Sequence, residues 1–328
     1  MTHEHDVRTR VWRNGIVEAD DFPFAQISDY LEQPDCLVWA DICAPDRNRL
    51  DALAEELSLD PHAVEDSVEH HERPKASRYA KHLFLSAYDI TFDRETGRLT
   101  SNQVAAFVLR NAVVTVRQSE DFDMDQVVAT WDANSDLMKF GSKALVHGLL
   151  DVLVDGHFAA IESLDDEIEK IEDILFEETR TSVRQVQMRS YALRKSLVEA
   201  RRGILPMREV VNAVMRHADD VHPELEPYYD DLYDHVLRAT EWTESLRDMI
   251  SSIFETNLSL ADSRLNTVMK KLTAWAAIIA VPTAVTGFYG QNVPYPGFAA
   301  HWGFWVSTVV MLVCAVGLYV IFKLRDWI

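Results

Sequence analysis

Two uncharged apolar runs lie within residues 272–322. The first, residues 272–288, reads LTAWAAIIAVPTAVTGF, and the second, residues 305–322, reads WVSTVVMLVCAVGLYVIF. At the helical rise they reach roughly 25–27 Å, and their aromatic flanks bring each close to the hydrocarbon thickness of a bilayer. One such run also suits a buried core helix; two in succession predict a transmembrane hairpin. Lys270 and Lys271 precede the first run, Lys323 and Arg325 follow the second, and residues 289–304 between them hold no Lys or Arg. Positively charged flanks stay on the cytosolic side. Both termini are therefore expected in the cytosol of a cell (plasma or inner) membrane. The loop is expected outside, with Tyr289, Tyr295, Trp302 and Trp305 at the outer interface.

The remainder of the chain is of the opposite character. The net charge is −21, with −24 in the first 260 residues and +3 in the rest. Such a field repels nucleic acid and attracts cations. Three cysteines, Cys36, Cys43 and Cys314, make no disulfide framework or zinc ribbon. Residues 1–13 are polar, so no signal peptide is expected. No nucleophile elbow, phosphate-binding glycine loop or HExxH motif occurs, and no enzymatic activity is expected.

Four β-like runs, residues 37–42, 83–90, 104–109 and 112–116, accompany helical patterns at 48–57 and 61–69. Arg110-Asn111 reads as a hairpin turn, and Asp60-Pro61 as an N-cap with a first-turn proline. They predict an α/β cytosolic domain over residues 1–130. Residues 131–226 are expected to form a helical pair, acidic around Glu162–Glu178 and basic from Arg184 to Arg208, packed antiparallel. Residues 227–288 read as one long stalk helix continuing into the first transmembrane span. Its seam (Leu232, Val236, Ala239, Thr243, Leu246, Ile250, Ile253, Asn257, Leu260) alternates steps of four and three. That seam suits a coiled oligomer, with Thr243 and Asn257 setting register, or packing on the chain's own domain. The loop 289–304, the second span 305–322 and a tail 323–328 complete the layout.

Within the first span, Asn266, Met269, Thr273, Ala276, Ala280, Thr283 and Gly287 follow at steps of three and four and share one helix face. Small residues on one face permit close helix packing or line a narrow water-filled pore; spacing leaves both open.

The segment Asn266-Thr-Val-Met-Lys-Lys-Leu-Thr, the proline-containing span and Tyr289-Gly290-Gln291-Asn292 together resemble the pore segment of CorA magnesium transporters. The family hallmark after the first span is Gly-Met-Asn, of which Gly-Gln-Asn is a variant. Glu72-Arg73-Pro74-Lys75 and Tyr228-x-x-Asp231-x-Tyr233-Asp234-His235 resemble further family motifs. The resemblance implies a funnel-shaped homopentamer in lipid, a Mg²⁺ channel that also accepts Co²⁺ or Ni²⁺, and no organic cofactor. It implies a selectivity mouth at Tyr289, Gly290, Gln291 and Asn292, inner pore positions at Thr283 and Gly287, and a gate at Asn266, Met269 and Leu272. It further implies regulatory Mg²⁺ held between subunits by Asp231 and, on a looser match, Asp93. Neutral oxygens suit an ion that sheds its water reluctantly.

Two departures bear on ion choice. Gln291 replaces the usual Met, and the outer loop lacks acidic residues. Zinc-transporting relatives vary the same position, and His70-His71 with His3-x-His5 offer imidazoles, so a zinc transporter is the first alternative. A membrane-tethered sensor or scaffold is the alternative of another class; it does not explain the polar face followed by Tyr-Gly-x-Asn.

Overall fold

Strand pairing in the N-terminal half is organised around its longest hairpin. A computed structural model describes residues 7–69, 73–176, 183–216, 222–291, 294–298 and 300–328. It divides into two units, Met1–Ile253 and Phe254–Ile328. In the first, the seven strands are β1 (Val7–Arg13), β2 (Ile16–Asp20), β3 (Cys36–Cys43), β4 (Lys75–Arg78), β5 (Leu83–Asp93), β6 (Arg98–Val108) and β7 (Ala112–Arg117). They form one sheet in the order β2-β1-β3-β7-β6-β5-β4. Among the described residues, only β3 and β7 run parallel. They need a long crossover, which α2 (Arg47–Leu57), α3 (Pro61–Val68) and β4–β6 supply.

All four strands expected from the sequence are present, and Leu109 N–H donates to Ala112 O at 2.8 Å to close the expected turn. Asp60 caps α3, accepting from His62 N–H at 2.9 Å. Strands β1, β2 and β4 were not foreseen. Arg8, Arg10 and Arg13 interrupt the apolar alternation of β1, yet each guanidinium pairs with a carboxylate, Asp125, Asp132 and Asp35 respectively, at 2.7 Å.

Both sheet faces are covered. One carries α1 (Ile27–Leu31), α2 and α3 over Ile42, Phe84, Phe107 and Val114. The other carries α4 (Met124–Ala133), α5 (Ser142–Phe176), α7 (Met207–Arg216) and the first turns of α8 (Glu226–Tyr289) over Leu85, Ala106 and Val113. This core crosses residue 130, so helices on either side of that position share it. At its centre, Trp131 meets Trp12 and Trp39 edge-on at 5.9 and 5.0 Å and donates its indole N–H to Leu145 O. Gly148 makes this possible: a Cβ there would lie 2.6 Å from the Trp131 ring.

His157 of α5 and Gly203 of α6 (Val183–Ile204) both reach Tyr88, so the two helices run antiparallel from that level. Their opposite charges are used elsewhere. Arg201 pairs with Glu244 of α8 at 2.6 Å and Asp166 with Arg94 at 2.8 Å, and among the described residues no ion pair joins α5 to α6. The stalk seam is likewise spent within the chain. Leu232, Val236, Ala239, Thr243, Leu246, Ile250, Ile253 and Asn257 are buried without any second copy. The Thr243 hydroxyl donates to Ala239 O of its own helix at 2.7 Å. Over Leu232–Ile253 the heptad-like period therefore records packing on the chain's own domain, and Thr243 sets no inter-chain register.

The second unit holds the end of α8 and α9 (His301–Leu324), both long and apolar enough to cross a membrane. Helix α5 meets the same criterion, but 67% of that stretch is buried inside the first unit, which marks it as a core helix.

Candidate ion-conducting face and sensing carboxylates

Partial burial divides the membrane portion of α8 into two faces. Ala274, Ala277, Ile278, Val281, Pro282 and Val285 are buried or half-buried. On α9 the matching stripe is Gly303, Ser307, Met311, Ala315 and Leu318. Asn266, Met269, Leu272, Thr273, Ala276, Ala280, Thr283 and Gly287 lie outside that stripe and are all exposed, Met269 and Leu272 by 52% and 63%. The small, hydroxylic positions are thus not used for packing within one chain.

Pro282 removes one backbone donor inside this helix. One residue on, Thr283 donates its hydroxyl to Ile279 O at 3.1 Å, and Thr286 donates to Thr283 O at 3.1 Å. With its proton committed to the backbone, Thr283 Oγ1 presents lone pairs to the open face, the form a cation or its hydration shell accepts.

Helix α8 ends at Tyr289. Gly290 N–H donates to Thr286 O at 2.8 Å, so close that a Cβ at 290 would sit 2.9 Å from that oxygen. Gln291 N–H then donates to Phe288 O at 3.3 Å. An aromatic knot fixes the start of the loop: Tyr295 donates its hydroxyl to Tyr289 O at 3.1 Å and meets the Tyr289 ring edge-on at 4.9 Å. Asn292 lies outside the described residues, as do His3, His5, His70, His71 and Glu72.

Asp231 and Asp93 occupy different elements and are both exposed. Asp231 lies on the second turn of α8, 3.9 Å from His235 Nδ1, at the edge of a cavity of about 220 Å³ that His147, Asp151 and Tyr228 also line. His147 Nε2 lies 3.1 Å from Tyr228 O. Burial lowers the His147 pKa, against the pull of Asp151 and Asp231, and burial raises that of Asp155. The α5 contribution was missed from sequence. Its signal was the i, i+4, i+8 series His147, Asp151, Asp155 on the largely apolar first half of α5. Asp93 is spent locally: it accepts from Thr96 Oγ1 at 2.6 Å and from the Glu95 and Thr96 N–H groups, closing the β5–β6 turn. Those bonds hold its carboxyl below the usual range. Among the described residues of one chain, no three His, Cys, Asp or Glu side chains are placed to hold a metal ion.

A sheet covered by helices on both faces, a 64-residue helix with an apolar stretch long enough to span a membrane, and a second such helix after a Tyr-Gly-Gln turn define the architecture of a membrane protein. The chain belongs to the CorA-like Mg²⁺ transporter family, whose family model matches residues 35–324. At that level it is a divalent-cation transporter of the CorA superfamily. It is 30% identical to the cobalt/magnesium transport protein CorA of Thermotoga maritima, over 99% of this chain and 94% of that protein. The complete CorA magnesium transporter structure from Methanocaldococcus jannaschii shares the fold with a TM-score of 0.77 at 22% identity, covering 100% of both chains. The ZntB cytoplasmic domain from Vibrio parahaemolyticus shares it with a TM-score of 0.60 at 11% identity, over 77% of this chain and 98% of that domain.

Proposed function

We propose that the chain is a homopentameric Mg²⁺ channel that also passes Co²⁺ or Ni²⁺, with five α8 helices lining one axial pore and both termini in the cytosol. The observation that carries this reading is the open, small and hydroxylic face of α8 from Asn266 to Gly287, which runs unbroken into Gly290-Gln291. Asn292 with Tyr289, Gly290 and Gln291 forms the outer mouth, where neutral oxygens contact a hydrated ion without trapping it. Thr283 and Gly287 line the pore below, and Met269 and Leu272 form a constriction that closes by dewetting above the Asn266 ring. Cytosolic Mg²⁺ bound by Asp231, with Asp93 of a neighbouring copy, relieves carboxylate repulsion and favours the closed state. Lys270, Lys271, Lys323 and Arg325 anchor the hairpin at the cytosolic lipid headgroups.

Zinc transport is the second reading, favoured by Gln291 in place of Met and by the fold shared with the ZntB cytoplasmic domain. Ion flux into vesicles reconstituted with the full chain separates the readings. Mg²⁺ uptake exceeding Zn²⁺ uptake is expected. The reverse order supports zinc transport, and no flux of either ion leaves a membrane-tethered sensor or scaffold.

A further inference from the structure

His82 is a buried imidazole with no hydrogen-bond partner. It stands at the end of the four-residue turn joining β4 to β5, where Tyr79 N–H donates to His82 O at 2.9 Å. Its ring stacks on Tyr79, centroids 5.1 Å apart and planes 17° off parallel, and leans on Phe107 at 5.7 Å. Both ring nitrogens are shut from solvent, and neither meets a donor or acceptor. A neutral imidazole tolerates such an aromatic slot; an imidazolium, with two N–H donors and a charge, does not.

The surrounding charges give the cation somewhere to go. Asp60, the N-cap of α3, is the carboxylate whose field reaches the ring. It is engaged with His62, through the backbone N–H at 2.9 Å and the ring Nδ1 at 3.1 Å. Beyond Tyr79, Lys75 of β4 pairs with Asp66 of α3 at 2.9 Å. The slot therefore sits where the edge strand β4 is held to α3. Tyr79 is one wall, Phe107 of β6 the other, and Asp60 the nearest acid.

We propose that His82 is an acid-operated latch: neutral, it closes the Tyr79–Phe107 slot and fastens β4 and its turn to the sheet; protonated, it leaves the slot toward Asp60 and releases them. Burial lowers the affinity of the ring for a proton below the ordinary 6.5, and Asp60 opposes this only in part. The sign follows. The closed state prefers the neutral ring, so its advantage is complete above pH 6.5 and is lost as pH falls through 6.5 toward the lower closed-state value.

Amide hydrogen exchange on the full chain in detergent tests this, with times corrected for the intrinsic pH dependence of exchange. Between pH 7.5 and 5.5, protection over residues 75–82 is expected to fall about tenfold relative to β3. His82→Phe, which keeps the aromatic filling and cannot titrate, is expected to abolish that fall. Equal protection at both pH values in the unaltered chain, or the same tenfold loss in His82→Phe, overturns the latch. A measurement independent of any variant is exchange of the His82 ring C2 hydrogen by mass spectrometry: a midpoint below 6.5 supports the latch, and one at or above 6.5 overturns it.

Discussion

Arg117 and Asp41 face each other on the parallel strands β7 and β3, Nη2 to Oδ2 at 2.6 Å, with both side chains buried. The Arg117 Nη1 group also donates to Phe122 O at 2.8 Å, and Thr115 donates its hydroxyl to Asp41 Oδ1 at 2.6 Å. Burial alone would lower the Arg117 pKa, but the hydrogen bonds and charge of Asp41 outweigh it and the net shift is upward. Removing one member strands a charge in the sheet. Arg117→Met is expected to cost about 3–5 kcal/mol in denaturant unfolding of the detergent-solubilised chain. Pairing it with Asp41→Asn is expected to recover much of that loss. A single-variant cost below about 1 kcal/mol contradicts the assignment.

A second consequence concerns acid. His157 on α5 is fully buried, and its Nε2–H donates to Tyr88 O at 2.7 Å. Burial pulls its pKa down to about 4, with the bond to Tyr88 opposing. The neutral ring therefore stabilises the folded state above the ordinary 6.5, and this contribution, about 3 kcal/mol, is lost as pH falls from 6.5 toward 4. His157→Gln keeps a donor for Tyr88 O and removes the titration. Its unfolding free energy should be flatter than that of the unaltered chain between pH 6.5 and 4; an identical slope shows that other groups carry the acid sensitivity.

The parts of this protein legible in sequence are those where one strong physical term acts alone. The two spans stand out because nothing charged interrupts them, and β3, β5, β6 and β7 because each carries a mostly apolar run; the polar first half of β6, Arg98–Gln103, was not foreseen. Strand β1 was hidden by Arg8, Arg10 and Arg13, whose partners are remote in sequence. The seam of α8 has the correct period, but a period states that a face is covered and not by what; the cover is the chain's own domain. The open face from Asn266 to Gly287 was visible as spacing, and its exposure within one chain is what removes intrachain packing as its explanation. Asp93 ends β5, three residues beyond the run read from sequence, and the Asx turn that engages its carboxylate depends on Glu95 and Thr96 and carries no periodic signal.

Regulation is tested at Asp231. Because its side chain is 71% exposed and its nearest partner is His235 at 3.9 Å, Asp231→Ala should leave folding nearly unchanged, within about 0.5 kcal/mol. In the proposed pentamer it should weaken closure by cytosolic Mg²⁺ and leave the first unit more open to protease at high Mg²⁺. Asp93→Asn separates the two carboxylates: loss of turn stability without change in Mg²⁺ protection assigns Asp93 to the β5–β6 turn alone. Full Mg²⁺ protection in Asp231→Ala removes that residue from the sensor.

The outer mouth gives the sharpest contrast between adjacent residues. Gly290 donates its N–H to Thr286 O in the last helical bond of α8, and the chain departs from the helix at Gln291, whose N–H goes to Phe288 O. The proposed roles differ: Asn292 lines the pore mouth, as the family resemblance implies, and Gln291 packs sideways against the loop or a neighbouring copy. In the proposed pentamer Asn292→Ala deletes five amide oxygens from the mouth and is expected to reduce Mg²⁺ uptake at least tenfold. Gln291→Met has nearly the same length without branching and is expected to keep uptake within about twofold, with the order of Mg²⁺, Co²⁺ and Zn²⁺ unchanged. A changed order means that Gln291 contributes its own ring to selection, and normal flux from Asn292→Ala removes the mouth from this loop altogether.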